Sequence, residues 1–413
     1  MAENQHGSAQ DTPTQADAKT SIGILTEVDK SERRVALVPG SIGQLTRAGL
    51  EVRVQSGAGA AAGFPDETYA SHGALVVSRE EALAADVLLC IRALGTEDPP
   101  DPGGLEGLRA GQVVIGLARP LDAPEAAKAL ADRGVALFAL ELMPRITRAQ
   151  SMDVLSSQAT VAGYKAVVVA ADRLPKMFPL LTTAAGTVTP ARVLVIGAGV
   201  AGLQAIATAH RMGAVVQGYD IRPAAAEQIA SLGGRVVELP VEAGETETSG
   251  GYARVMDEAF YAKQRELLTP IVAGCDVVIC TAMVPGSPAP VLVSGDAVER
   301  MAPGSIVIDL AAPQGGNCER TVPDLEVTVG GATVLGPTNL ASAVPFHASQ
   351  MFSKNVANFV DVIVGEGRLA VDREDAIVGA TLVTADGRVV LPAVADRLRA
   401  PTSASASAEE GGP

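Results

Sequence analysis

Tryptophan is absent and aromatic residues supply only 3% of the 413 positions, while glycine alone occupies 43. With Ala and Val abundant as well, that imbalance points to parallel sheets, whose buried strands are rich in Val and Ile and carry small residues where helices lie close. Positive charge is short too: 32 Lys and Arg face 47 Asp and Glu, a net charge of −15. Nucleic acid is therefore not an expected partner, because neutralising phosphates takes clustered Lys and Arg. Adhesion to anionic lipid is disfavoured on the same ground. Only four cysteines occur, Cys90, Cys275, Cys280 and Cys318, with no CxxC pair. A disulfide framework is not expected, and reduced thiols indicate a cytoplasmic setting. The first twenty residues have no apolar core, which predicts no secretory signal. No run of 18 apolar residues exists, and the greasiest stretch, Val161 to Ala171, is interrupted by Lys165. The chain is thus expected to be soluble by itself, with no direct membrane insertion and no metal site.

What is present is ample material for a core. Hydrophobic residues make up 47% and charged residues 19%, and the length predicts two or three domains. Residues 1–20 and 399–413 read as disordered low-complexity tails. Between them, short apolar runs alternate with helical patterns, the mark of βαβ units. Strands are expected at Ile22–Leu25, Glu51–Val54, Val87–Cys90, Val113–Ile115 and Ala136–Phe138, with a helix from Ser41 to Ala48 and a surface loop over Pro99–Gly107. A long helix, Ser156 to Leu174, precedes the buried run Ala191–Ile196. Further strands are expected at Ala214–Val216, Val236–Val237, Asp276–Ile279, Ser305–Ile308 and Thr333–Leu335, and a second long helix over 346–365. The expected fold class is α/β: two Rossmann-like, doubly wound parallel-sheet domains joined by long helices. The first would comprise 21–158 plus 346–398 and the second 159–345, with the ligand in the cleft between them.

Gly197-Ala198-Gly199-Val200-Ala201-Gly202 is GxGxxG. It follows a buried strand and opens a small-residue helix, the context that gives this otherwise weak pattern its meaning. Gly197 permits the tight turn, Gly199 lets backbone N–H groups approach a pyrophosphate, and Gly202 allows close helix–strand packing. The helix N-terminus directs its positive dipole end at the anion. Asp220 closes the next strand about twenty residues on, where a carboxylate accepts ribose hydroxyls and repels a 2′-phosphate. The expected cofactor is NAD(H), although Arg222 leaves NADP open.

Longer strings carry a more specific signal. They are Pro144-Arg145-Ile146-Thr147-Arg148-Ala149-Gln150-Ser151-Met152-Asp153, Leu155-Ser156-Ser157-Gln158, Ala162-Gly163-Tyr164, Thr183-Ala184-Ala185-Gly186-Thr187-Val188, Gly250-Gly251-Tyr252-Ala253, Pro285-Gly286-Ser287-Pro288-Ala289-Pro290, and Asp309-Leu310-Ala311 leading to Gly315-Gly316-Asn317-Cys318. Over about residues 21–395 the chain resembles the soluble NAD(H)-binding component (domain I, alpha subunit) of proton-translocating NAD(P) transhydrogenase, within an alanine dehydrogenase/transhydrogenase-like fold. The resemblance implies that Arg145, Gln150, Asp153 and Ser156 surround the nicotinamide, with Ile146, Thr147, Ser151 and Met152 contacting the cofactor in the same loop. It places Val200, Asp220, Ile221 and Arg222 on the adenosine side, with Gly251, Gln264 and Met283 nearby. Pro240–Tyr261 resembles the family's mobile loop, whose Tyr252 is counted with the catalytic set; an ordinary solvated loop is the other reading. Ser151 or Asp153 also suits a helix N-cap, and both roles are compatible.

The resemblance extends to alanine dehydrogenases, which share an Arg-Val-Ala string like Arg34-Val35-Ala36. Oxidising an amine requires a general base. That subfamily uses a Lys after the Val-Leu-Leu strand and a His after the next one, where this chain has Arg92 and Gly116-Leu117. His6, His72, His210 and His347 read as helical or surface residues, the second and third at helix ends. Hydride exchange between two nicotinamides moves no proton at the reacting carbons and needs no such base. The implied function is direct hydride transfer from NADH to NADP+ on a partner subunit. The implied partners are a membrane-spanning subunit and an NADP(H)-binding subunit, with the chain peripheral on the inner face of the cell membrane. The resemblance also implies a homodimer, with Thr182–Arg192 as a hairpin reaching its partner. An alanine-dehydrogenase-like amino acid oxidoreductase and a non-catalytic dinucleotide sensor stand as alternatives.

Overall fold

The apolar run that ends at Ile196, buried from Val193 onward, lies in the middle of a seven-stranded sheet. The computed structural model describes residues 19–96, 102–240, 254, 256–284 and 287–399, so nearly all of both expected tails lies outside it. Six strands come first: β1 (Ser21–Ile24), β2 (Glu51–Gln55), β3 (Leu75–Val77), β4 (Val87–Arg92), β5 (Val113–Leu117) and β6 (Ala136–Ala139), with helix α1 (Pro39–Arg47) between β1 and β2. Helix α2 (Val154–Arg173) then leads to a hairpin of β7 (Leu181–Thr183) and β8 (Gly186–Val188). β9 (Arg192–Ile196), α3 (Val200–Arg211), β10 (Val215–Tyr219), β11 (Arg235–Val236), α4 (Glu258–Ala273), β12 (Val277–Cys280), β13 (Ile306–Asp309), β14 (Glu326–Val329) and β15 (Ala332–Leu335) follow. Helix α5 (Pro345–Ile363) returns the chain, which ends through β16 (Val364–Gly365), β17 (Arg368–Leu369), β18 (Leu382–Ala385) and β19 (Arg388–Val389).

The first sheet runs β19-β18-β6-β5-β4-β1-β2-β3 and the second β11-β10-β9-β12-β13-β15-β14. β1 to β6 pair in parallel, and so do the six strands from β11 to β15 in the second sheet. Both follow the order 3-2-1-4-5-6, which opens a crevice at the carboxyl ends where the winding reverses. The antiparallel strands β14, β18 and β19 are the additions to that plan. The edge strands among them, β14 and β19, and the short edge strand β3 escape sequence reading because an edge strand needs no continuous apolar run. Within Pro99–Gly107, expected as loop, Pro102–Glu106 forms a short helix.

Helix α2 belongs to both cores. Val154 packs in the first, with Phe352, Val356 and Phe359 of α5, while Ala166, Val167 and Ala170 pack in the second against Ala201, Ala205 and Ile206 of α3. The helix continues unbroken through Lys165 and is the one helix among the described residues long and apolar enough to cross a membrane. It owes that composition to the two cores it serves. Gly163 marks its closest approach to α3, where an added Cβ would collide with the Ala201 carbonyl. Gly163→Ala should cost about 1–3 kcal/mol, the scale of overpacking, read as a lower denaturation midpoint with an unchanged m-value. Parent-like stability would mean that the two helices separate freely.

Candidate functional site

The loop after β9 has the geometry of an anion cradle. Gly197 takes φ +93°, and a Cβ there would stand 2.8 Å from Ala282 N. Thr281 Oγ1 donates to the Gly197 carbonyl at 2.7 Å, tying the loop to the end of β12. Gly202 faces that same carbonyl with no room for a side chain. Gly199 is the reverse: nothing stands within 4 Å of its Cβ position, and as N-cap of α3 it leaves the helix without a side-chain cap. Helix N–H groups and dipole therefore point into open space.

Asp220, one residue beyond β10, is occupied. Its Oδ2 accepts from Ala198 N at 2.7 Å and Arg222 Nη2 at 2.9 Å, and its Oδ1 from Arg222 N and Nε at 2.8 and 2.9 Å. A carboxylate offers roughly four lone-pair sites, so Asp220 here braces the loop and pairs with Arg222. The expected role as a ready ribose acceptor requires the guanidinium to give way.

Between the two sheets lies a cavity of about 550 Å³. Of the expected site residues, Arg145, Ser156, Gly197, Gly199, Val200, Asp220, Ile221, Arg222, Gln264 and Met283 line it. Ile146, Thr147, Gln150, Ser151, Met152, Asp153 and Gly202 are not part of its wall. Met152 departs furthest from expectation, because its side chain is buried in the first core beside Ala149. Ile146, Thr147, Gln150 and Ser151 are exposed on and beside the two-turn 3-10 helix Thr147–Met152. Ser151 anchors that segment by its carbonyl, which accepts from Asn355 and Asn358 of α5 at 2.8 and 3.1 Å. Asp153 realises the capping role: it accepts from Ser156 N at 2.9 Å and Ser156 Oγ at 2.6 Å, starting α2 and holding Ser156 at the cavity. Gly251 and Tyr252 lie outside the described residues.

Several lining residues carry no motif. Tyr219 Oη accepts a short hydrogen bond from Gln264 Nε2, and burial pushes the phenol up to about 12, so it stays protonated. Arg34 is the most consequential. Its guanidinium meets Glu32 Oε2 at 2.6 Å with both side chains nearly solvent-free, 5% and 0% exposed. It also donates to Gln158 of α2 at 2.8 Å and to Asn339 beyond β15 at 3.2 Å, while Asn339 donates to Glu32 at 2.8 Å. Burial opposes the Glu32 charge, but the hydrogen bonds and charge of Arg34 and the Asn339 amide hold its carboxyl below the ordinary range. Arg34, Gln158 and Asn339 all form cavity wall.

The remaining reactive types sit elsewhere. His72 caps a helix end with Nδ1 2.7 Å from the Thr68 carbonyl, and no histidine among the described residues lines the cavity. All four cysteines are free and buried, and burial pushes Cys275 up to about 12 and Cys318 to about 11. No group of three metal-ligating side chains occurs among the described residues.

Residues 23–162 match the family profile for the alanine dehydrogenase/PNT N-terminal domain, and residues 166–392 that for its C-terminal domain. An NAD(P) transhydrogenase alpha-subunit protein of Rhodospirillum rubrum is 44% identical over 379 residues, covering 90% of this chain and 98% of that protein. The crystal structure of transhydrogenase from Sinorhizobium meliloti superposes with a TM-score of 0.80 at 43% identity, over 90% of this chain and all of that one. An L-alanine dehydrogenase structure superposes with a TM-score of 0.75 at 27% identity, over 92% and 99%.

Arg34→Met strands a buried carboxylate and should cost about 3–5 kcal/mol. Removing both charges in Glu32→Gln/Arg34→Met should cost less than the single change, in a denaturant double-mutant cycle. Additive losses would show that the pair is not coupled.

Proposed function

The chain belongs to the alanine dehydrogenase/PNT family, and from that membership we propose that it is the NAD(H)-binding component of a proton-translocating transhydrogenase, passing hydride from NADH to NADP+ on a partner subunit. The residues present suit the dinucleotide: an uncapped helix start at Gly199, a glycine cradle and an interdomain cavity of fitting chemistry. When bound, the reduced nicotinamide supplies the hydride. The chain's own role is to bind and orient. The loop amides of Gly199 and Val200 receive the pyrophosphate, Asp220 and Arg222 bound the adenosine end, and Arg145 and Ser156 stand at the wall supplied by the first domain. Exposed Gln150 faces outward, where a second protein would approach. Orientation of this kind is proximity catalysis and asks for no proton transfer.

One observation carries the choice over an amino acid dehydrogenase. The first sheet has its own switch point between β1 and β4, the crevice where a small acid would bind. There the chain supplies its own carboxyl group: Glu27 accepts from Ile91 N at 2.6 Å and Arg92 N at 3.1 Å. Arg92, in the position where the dehydrogenases carry Lys, is 3.3 Å from Asp29. The crevice is filled from within.

The same reading proposes a membrane-spanning subunit and an NADP(H)-binding subunit as partners, with this chain held at the inner face of the cell membrane through them. It proposes a homodimer that uses the exposed hairpin β7–β8.

Purified chain mixed with an NADP(H)-binding transhydrogenase component should pass hydride from NADH to an NADP+ analogue, and failure to do so defeats the proposal. Gln150→Ala should slow that step by roughly tenfold to a hundredfold while NADH binding persists; loss of binding instead would contradict its assigned role. A pH test addresses the filled crevice. Burial raises the Glu27 carboxyl from 4.5 to about 8, against its two backbone hydrogen bonds. Its contribution is complete below the unfolded value and is lost as pH rises through the folded one. The Tm of Glu27→Gln relative to the parent should therefore climb between about pH 5 and about pH 8.5; a constant difference would show that Glu27 is not held protonated.

A further inference from the structure

Four buried side-chain oxygens lack a hydrogen-bond partner among the described residues: Glu141 Oε2, Gln264 Oε1, Gln314 Oε1 and Asn355 Oδ1. Only Gln264 and Gln314 also line the interdomain cavity. An unmet buried acceptor is costly, so native structures leave one mainly where a ligand or water supplies the donor. The other amides around the cavity are already spent. Asn317 donates to the carbonyls of Ala282 and Pro290 and accepts from Ala282 N, and Gln158 links Arg34, Ser157 and the Ala348 carbonyl.

The two open acceptors stand at opposite ends of the sheet's crevice. Gln264 is bonded to Tyr219 at the end of β10, the adenosine side. Gln314 lies past β13, in the single turn Ala312–Gln314, beside Leu310 and Pro313. In the order 3-2-1-4-5-6 that is the fifth strand, across the switch point from the adenosine-binding second strand, and therefore the nicotinamide side. Its backbone is pinned twice: the Gln314 N–H donates to the Ala311 carbonyl and its own carbonyl accepts from Ala289 N, both at 2.8 Å. Gly315 and Gly316, at φ +98° and +87°, then turn the chain away. Buried Asp309 holds this turn from below, accepting from Ala311 N at 3.0 Å, Cys318 N at 2.9 Å and Thr321 Oγ1 at 2.6 Å. A rigid mount thus holds the Gln314 side chain, with its unpaired oxygen, in the cavity wall beside Leu310 and Pro313.

We propose that Gln314 orients the nicotinamide ring by accepting a hydrogen bond from its carboxamide amino group. This rests on the dinucleotide reading above. The bond sets the rotation of the ring about its glycosidic link and makes the chain selective for a carboxamide over groups of the same shape without the N–H donor.

The test compares NADH with reduced 3-acetylpyridine adenine dinucleotide, in which a methyl group replaces that amino group, by nucleotide fluorescence titration of the full chain. Gln314→Met should weaken NADH about tenfold, the scale of one hydrogen bond at a buried acceptor. It should leave the analogue within about twofold, an unchanged affinity that also reports a folded site. Gln314→Glu keeps an acceptor in place and should restore the preference for NADH. Equal weakening of both ligands would assign the acceptor to a ribose hydroxyl and overturn the proposal, as would no weakening of either. If the parent chain binds neither ligand, the dinucleotide reading itself falls, and Gln314 with it.

Discussion

A charge without water has to be met by protein, and the buried pair Arg34–Glu32 meets that demand with groups from two distant segments of the chain. Gln158 comes from the helix leaving the first domain, and Asn339 from the segment returning to it. The surrounding backbone is fixed in the same way. Arg33 N, Val35 N and Val38 N donate to the hydroxyls of Ser342, Ser349 and Ser353 at 2.7, 3.0 and 3.0 Å. Because Arg34, Gln158 and Asn339 are also cavity wall, the electrostatic requirement sets the separation of the two sheets where the dinucleotide is proposed to lie. Removing one partner would leave a desolvated charge, which is why such a network holds a single geometry.

Small residues do the complementary work. Gly163 lets α2 and α3 touch, and Gly197 and Gly202 let α3 start against β9 and β12 without intervening side chains. The glycine loop is thereby mounted against α2, the helix that belongs to both cores.

The two crevices of the molecule have diverged in how they treat a carboxylate. At the second sheet Asp220 braces the loop and neutralises Arg222. At the first sheet the Glu27 carboxyl group sits on the backbone amides of Ile91 and Arg92. Two sheets of one winding order therefore leave one open cavity between them, and its proposed reaction needs orientation more than acid–base chemistry.

Local chemistry made much of this legible. A continuous apolar strand, three glycines at fixed spacing and an acidic residue after the next strand are adjacent in sequence because they act within a single βαβ unit, and the alternation of strands and helices identifies the fold class on the same principle. The string from Pro144 to Gln158 pointed to the family because it is long and contiguous. Edge strands, the short helix at Pro102–Glu106 and the burial of Met152 were not legible, since each depends on what covers a segment after folding. Nor was the state of Asp220, whose partners are decided by how the turn at Ile221 brings Arg222 back. The sequence alone determined the alternation of strands and helices, the glycine loop after β9 and the kind of cofactor. Only the tertiary structure decided that Arg34, Gln158, Gln314 and Asn339 share one cavity, because those residues are brought together by burial and hydrogen-bond satisfaction across up to 305 positions, an arrangement no local pattern encodes.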